Sequence, residues 1–338
     1  MKNKITIVGI NFWPEDTAIG LYTYQLANFY KEQGLEVNVI TGFPYYPAWK
    51  INSEYKSKKK FHEESINGIK IYRYKQYVPK NPIFIKRILH LLDFTLGSFI
   101  NLFKIKKTDV VLCVVPFIGC VFIGKFLAKL KGAKLWVHIQ DFEFDAVSDS
   151  NLVEEKTDKN FIFRILFYFE SKLLNSADLL STISSSMVKK LTGKTKSEIE
   201  KKLLPNWVDP NFILPEEHKK HSYLKSDKFK ILYSGNIGEK QDWDFFIKFA
   251  KELEKEKDVQ IIVVGNGSKR YWLEEKLLDL ENIWFYSPVA YSELSDLLCS
   301  ADLHILFQKV NVIDTVMPSK ILAMMASEKP SLITGSLK

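Results

Sequence analysis

Cysteine is scarce in this chain of 338 residues: Cys113, Cys120 and Cys299 are the only three, with no paired spacing. An odd, unpaired set excludes a disulfide framework and fits a reducing compartment, the cytoplasm, with each thiol a small buried apolar group. Long hydrophobic runs are missing too. The longest uncharged stretch, Val110 to Gly124, is interrupted by Pro116 and falls short of the roughly 20 residues that span a bilayer. The opening residues MKNKITIVGINF have no signal-peptide anatomy and read as a first core strand. The histidines number 6 and are scattered. No spacing suits a metal site, and there is no Gly-x-Ser-x-Gly or Walker-type loop. Low-complexity tracts and solenoid repeats are absent as well.

What remains is enough for real cores: 46% of residues are hydrophobic and 14% aromatic. The length suits two domains. The formal net charge of +8 favours anionic partners, with basic stretches at Lys56–Lys60, Lys104–Lys107 and Lys189–Lys202, each also readable as a solvated surface. No basic–aromatic recognition module accompanies them, which argues against nucleic acid.

Apolar strands alternate with helix-periodic segments along most of the chain. Ile5–Ile10, Val37–Thr41, Ile69–Tyr74, Asp109–Val115, Leu135–Ile139 and Leu179–Thr182 read as strands. Helical patterns fall on Ala18–Gln33, Ile83–Phe103, Ile118–Lys131, Phe161–Ser176 and Ser184–Leu191. A polar, proline-bearing stretch follows, and strand–helix alternation restarts at Phe229–Ser234. It continues through Val259–Val264, Ile283–Phe285, Leu303–Phe307 and Ser331–Thr334, with helices at Trp243–Glu256, Lys269–Leu280, Ser292–Ser300 and Lys320–Ala326. The expected organisation is a Rossmann-like domain over 1–208, a linker over 209–228, and a second Rossmann-like domain over 229–338. Because the last strand is not followed by a helix to cover it, the second domain reads as incomplete.

Ligands of open α/β sheets bind just beyond the carboxyl ends of strands. After the first strand, Gly20 opens a helix whose free N–H groups suit an anion; an ordinary tight turn is the other reading. His138, Gln140 and Asp141 end the fifth strand, with Glu143 and Asp145 close behind. Capping and turn chemistry could also account for that cluster. In the second half, Gly235, Asn236, Gly238 and Lys240 follow a strand and could cradle a diphosphate. Asn266 and Gly267 follow the next strand, where a flat base could approach backbone. Ser319 and Lys320 open the last helix, as a phosphate clamp or an ordinary N-cap.

These segments together resemble the two-domain GT-B glycosyltransferases of family 4, and within them enzymes of bacterial exopolysaccharide synthesis. The likeness runs through 14–27 (PEDTAIGLYTYQLA), 42–47 (GFPYYP), 136–146 (WVHIQDFEFDA), 232–241 (LYSGNIGEKQ) and 317–330 (MPSKILAMMASEKP). It implies an α/β GT-B fold with two domains facing across a cleft. It implies retaining hexosyl transfer from a nucleoside diphosphate sugar to a saccharide acceptor, often one carried on a polyprenyl diphosphate. No cofactor or metal is implied, because basic residues and helix N-termini neutralise the leaving diphosphate. Gly20 would approach the donor phosphates; Lys240, Ser319 and Lys320 would hold the diphosphate; Asn266 and Gly267 would lie near the base. His138, Gln140 and Asp141 would face the transferred sugar and the acceptor.

The chain departs from the family pattern in places. Thr315 and Ala323 stand where two glutamates are usual, and Glu239 stands where an arginine usually precedes Lys240. The expected shortness of the second domain leaves open a catalytically silent remnant that docks on membrane or partners. A sugar-nucleotide epimerase of the same fold is a further alternative. The segment Lys80–Lys107 mixes Ile, Leu and Phe with Lys86, Arg87, Lys104, Lys106 and Lys107. It reads either as a basic, apolar helix lying on anionic lipid at the inner face of the plasma membrane or as a core helix with basic ends.

Overall fold

A computed structural model describes residues 3–16, 18–142, 158–209, 211–309 and 319–335. Glu143, Asp145, Thr315 and residues 317–318, all singled out above, lie outside these. The chain divides into two compact units, Met1–Pro205 and Asn206–Lys338.

The first unit holds an eight-stranded sheet in the order β3-β4-β2-β1-β5-β6-β7-β8. Its strands are β1 (Lys4–Val8), β2 (Glu36–Gly42), β3 (Phe61–Ile66), β4 (Ile69–Tyr74), β5 (Val110–Val115), β6 (Lys134–Ile139), β7 (Leu179–Thr182) and β8 (Glu200–Leu203). All pairings are parallel except β3 with β4, a hairpin. The register sets Ile5 opposite both Val37 and Val110. The central strands are covered on both sides, so β5 reads VVLCVV rather than alternating. Cys113 and Cys120 are both buried there as free thiols.

Helices α1 (Ala18–Glu32), α2 (Phe84–Ser98), α3 (Gly119–Lys131), α4 (Asp158–Leu174) and α5 (Ser185–Lys194) connect the strands. Gly132 ends α3 in the left-handed region at φ 65°. The Ser184 hydroxyl caps α5 by accepting from Met187 N. Where helical periodicity runs from Ile83 to Phe103, the α-helix stops at Ser98 and tightens into a 3₁₀ turn over Phe99–Lys104.

The second unit holds a wholly parallel five-stranded sheet in the order β11-β10-β9-β12-β13. The strands are β9 (Phe229–Ser234), β10 (Val259–Val264), β11 (Ile283–Tyr286), β12 (Leu303–Phe307) and β13 (Ser331–Thr334). The helices are α6 (Trp243–Glu252), α7 (Arg270–Lys276), α8 (Leu294–Cys299) and α9 (Ser319–Ala326). Alternation along β9 and β10 feeds two cores. Ile231, Tyr233, Ile261 and Val263 pack with Trp243 and Phe246 of α6 on one face. Leu232, Ile262 and Val264 pack with Leu297 and Cys299 of α8 on the other. Each such fully buried aliphatic side chain contributes about 1.5–3 kcal/mol.

Residues 209–228, expected as a linker, are instead packed onto this second unit. Ile213 and Leu224 are buried in the α8-side core. Leu214 N and His221 N donate to the hydroxyls of Ser295 and Ser300, at 2.9 Å each. Prolines and polarity hid a segment in which Phe212, Ile213, Tyr223 and Leu224 pack on that core.

Candidate functional site

Both sheets have a topological switch point, a place where connections leave one strand and its neighbour in opposite directions. Loops diverge there and leave a crevice at the carboxyl edge. In the first unit the switch lies between β1 and β5; in the second, between β9 and β12.

At the first switch point a pocket of ≈ 370 Å³ opens, lined among others by Ile10, Asn11 and Gly20 after β1 and by Pro116 and Phe117 after β5. Tyr45, Tyr46 and Trp49 of the segment following β2, Arg87 and His90 of α2, and Asp141 after β6 complete its wall. The wall is fixed by a buried carboxylate. Glu15 accepts from the backbone N–H groups of Tyr45 and Tyr46 at 2.8 and 2.9 Å, and from Asn11 Nδ2 at 2.8 Å. Burial raises its pKa, and these hydrogen bonds oppose the rise. Gly20 closes over it: a Cβ there would stand 2.8 Å from both Glu15 Cβ and Glu15 O. Glycine is required by close approach, so that the helix start reaches the pocket as bare backbone. Fully buried Arg73 adds a second tie. It donates to Glu64 of β3, to Gly42 O at 3.1 Å and to Trp13 O.

Of the three residues expected at the end of β6, the structure brings only Asp141 to this pocket. His138 is buried, with Nδ1 facing Ser181 Oγ and Nε2 facing Gln140 Nε2, each at 2.9 Å. Desolvation holds its pKa down at about 4, a neutral imidazole within the sheet. Gln140 is buried beside it. The spacing that set His138 and Gln140 on one face is confirmed by their contact, yet both serve each other. Sequence reasoning missed Tyr45, Trp49, Arg87 and His90. Their signal was the dense aromatic run after β2 and a histidine on the buried face of an amphipathic helix.

The second switch point is built from glycines and a lysine. Gly235 follows β9 with φ 139°, and a Cβ on it would lie 2.8 Å from Lys320 Nζ. A Cβ on Gly265 would lie 1.9 Å from Gly235 O, so the turns after β9 and β10 are in backbone contact. Ile237 N donates to Asn266 O at 2.8 Å, and Arg270 donates to the carbonyls of Gly265 and Tyr286. Lys320, in the first turn of α9, donates to Tyr233 Oη at 3.0 Å and lies over that ring at 4.5 Å. Burial lowers its pKa to about 8. Tyr233 Oη in turn donates to Asn236 O at 2.6 Å.

Gly235, Asn236, Asn266, Gly267 and Lys320 are thus gathered at one carboxyl edge. Ser319 opens α9. Lys240 is exposed, at the far end of the loop. Glu239, where an arginine was expected, forms an ion pair with Lys269 at 3.2 Å. Ala323, at a place usual for glutamate, packs on the α8-side core. Among the described residues no group of three or more His, Cys, Asp or Glu could hold a metal ion.

Comparison with known proteins places this architecture. The family profile described as "Glycosyl transferases group 1" matches residues 228–337. The chain is 35% identical to WcaI of Escherichia coli K12, which its name assigns to colanic acid biosynthesis as a glycosyl transferase; 98% of this chain and 83% of that protein are covered. Among solved structures, sucrose-phosphate synthase from Thermosynechococcus elongatus superposes with a TM-score of 0.70 at 12% identity, over 98% of this chain and 81% of that one. HepE of Anabaena, solved with UDP and glucose, gives 0.62 at 13% identity, over 97% and 80%. The last two likenesses concern the fold, which is GT-B. Two parallel α/β units with a glycine-lined turn and a lysine at the second switch point, together with this kinship, place the chain in the group 1 glycosyltransferases.

Proposed function

We propose that the chain transfers a hexosyl group, with retention of anomeric configuration, from a nucleoside diphosphate sugar to a lipid-linked saccharide in surface-polysaccharide synthesis. The second unit takes the donor. The observation that carries this reading is the Lys320 ammonium beside Gly235, in the turn that follows β9. A departing diphosphate would meet that charge together with the first-turn N–H groups of α9 and Ser319, a stabilisation aimed at charge that develops in the transition state. Asn266 and Gly267 would flank the base. HepE's complex with UDP and glucose supports this assignment by analogy of fold, and kinship with WcaI supports the polysaccharide role. Asp141 of the first unit would face the acceptor. Lys240 would act at the rim.

Calorimetric titration with a panel of nucleoside diphosphates tests the donor assignment. Wild type should bind at least one of them, and Lys320→Ala should weaken that binding at least about tenfold while Lys240→Ala keeps most of it. No nucleotide binding by wild type would refute the reading.

The acceptor side is read as meeting anionic lipid. On α2, Ile85, Leu89, Leu92 and Leu96 recur at helical spacing and are 51–70% exposed, and Phe103 beyond them is 76% exposed. Phe99, Phe122 and Phe126 form an aromatic cluster between this segment and α3, with centroids 4.9–5.5 Å apart. Lys86, Arg87, Lys104, Lys106 and Lys107 provide positive charge along the same stretch. No described helix is long and apolar enough to cross a membrane, so the contact would be peripheral. Sedimentation with phosphatidylglycerol-containing vesicles should carry the protein down, and Leu96→Ser with Phe103→Ser should release it. Equal sedimentation of the double variant would rule the surface out.

A further inference from the structure

The pocket at the first switch point contains a polar atom with nothing to do. His90 lies on the inward face of α2, opposite the exposed Leu89 and Leu92, and is 1% exposed. Its Nδ1 faces the Tyr77 carbonyl. A carbonyl can only accept, so Nδ1 carries the proton and Nε2 is left as a bare acceptor. Nε2 is buried and has no hydrogen-bond partner among the described residues. A buried polar atom without a partner costs about 1–3 kcal/mol, so a water or a ligand hydroxyl that reaches it is favoured, and among the atoms in this state His90 Nε2 belongs to a residue that lines the pocket.

The surroundings say what such a ligand is. His90 meets Tyr45 edge-on with centroids 4.6 Å apart and Trp49 at 5.6 Å; Trp49 also meets Tyr45 at 5.4 Å. Arg87 lies over the Trp49 ring at 5.1 Å and donates through Nε to Pro82 O, so the indole is held from outside. The Asp141 carboxylate sits in the same wall. Aromatic walls, one bare nitrogen acceptor and one carboxylate make a site for a ligand with C–H faces and several hydroxyl donors. A phosphate offers neither, and a flat base has N–H donors only in its own plane, whereas a sugar ring carries hydroxyls around its rim. The volume of ≈ 370 Å³ lies near the lower end of the about 300–1,000 Å³ common for small-molecule sites, enough for a sugar ring.

We infer that this pocket is a pyranose subsite for the saccharide acceptor, in which Trp49 presents its ring to the sugar and His90 Nε2 accepts a hydrogen bond from a sugar hydroxyl. The inference deepens the proposed glycosyl transfer and rests on it for the word acceptor; the binding of a neutral sugar ring stands on the pocket alone. Because α2 carries His90 on one face and the exposed apolar stripe on the other, a saccharide seated here would hang directly from a lipid anchor lying along that stripe.

The test uses methyl glycosides of glucose, galactose, mannose, fucose and N-acetylglucosamine, read by saturation-transfer NMR and by tryptophan fluorescence. The concentration range should cover the about millimolar affinities that one sugar ring supplies. At least one glycoside should bind, and Trp49→Ala should abolish it. His90→Asn keeps a donor for the Tyr77 carbonyl and removes the inward acceptor; it should weaken binding about fivefold, the worth of one neutral hydrogen bond. His90→Gln restores an acceptor near the Nε2 position and should recover most of the loss. Nucleoside diphosphate titrations and melting temperature run alongside. If nucleotide binds normally and no glycoside does, the subsite is refuted while the donor assignment stands. If the glycoside binds and no nucleotide does, the donor assignment fails and the sugar site survives. Equal loss in both His90 variants, tracking a fall in melting temperature, would overturn the role of His90 and reduce it to packing.

Discussion

The two switch points share a topology and differ in almost everything else. In the first, side chains make the site: a carboxylate, an arginine and aromatics packed edge to face are wedged between loops, and the ligand would meet rings and lone pairs. In the second, the absence of side chains makes the site: glycines bring backbone to the surface, and a single lysine supplies the charge. A neutral, hydroxylated partner suits the one and an anion suits the other. The fold supplies only the crevice; loop residues write the chemistry into it.

The sharpest way to break this contrast is to put a side chain where the second site has none. Gly265→Ala places a Cβ 1.9 Å from Gly235 O, and the turns must separate. The loss should reach about 3 kcal/mol, as for other strained or overpacked sites, with nucleotide binding abolished, measured by urea denaturation and calorimetry. Removing the buried charge from the first site should be of similar size. Arg73→Ala leaves Glu64 with the Tyr55 hydroxyl but without its buried cation, takes a donor from two carbonyls, and should cost about 3 kcal/mol, while nucleotide affinity in the still-folded fraction stays near wild type.

A milder effect is expected from the lysine that the second site relies on. Lys320→Ala should weaken nucleoside diphosphate binding about 10–100-fold, the range for a lost charge-assisted hydrogen bond; Lys240→Ala should change it less than about threefold, as exposed charges do. The pH dependence sharpens the assignment. Burial lowers the Lys320 pKa from 10.5 to about 8, so between these values the unfolded chain binds more protons than the native one. Stability should therefore rise as pH increases from about 8 toward 10.5, while diphosphate affinity should fall over the same window because the ammonium is lost. Lys320→Arg should flatten the binding profile in that window, since guanidinium does not deprotonate there. The smallest effect belongs to a surface pair outside both sites. Lys134 and Asp178 meet at 2.8 Å, and the lysine is largely exposed. Lys134→Ala should cost below about 1 kcal/mol and leave both ligand titrations unchanged.

Much of the architecture could be read before any coordinates. The strands of both sheets' interiors were legible because they are apolar runs bounded by turn residues. The two edge strands of the first sheet were not. The segment FHEESI of β3 looks like charged surface, yet it pairs with β4 across the Asn67-Gly68 turn, with φ of 49° and 76° at the two turn residues. Likewise EKKL of β8 hid within a basic run. Edge strands are selected for charge that blocks further pairing, so their composition argues against the structure they adopt. The helix over Ile83–Phe103 was over-extended for a related reason: the 3₁₀ turn keeps nearly the same apolar spacing.

Site residues divide along the same line. Gly20, Gly235 and Gly267 could be placed because a glycine after a strand has a local meaning. Sequence alone determined that this chain builds two α/β units, each on a mostly parallel sheet, with glycine-lined turns at strand ends and few thiols, all buried. Tertiary structure decided which charged and titratable groups matter. Lys320 outranks Lys240 because packing against Tyr233, 87 residues distant along the chain, sets it beside Gly235. His138 is consumed by Ser181 and Gln140, while His90, unremarkable in its own helix, faces a cavity walled by segments that follow four strands, β1, β2, β5 and β6. Local pattern is written by nearest neighbours in the chain; desolvation, charge and an unmet lone pair depend on neighbours that only folding brings near.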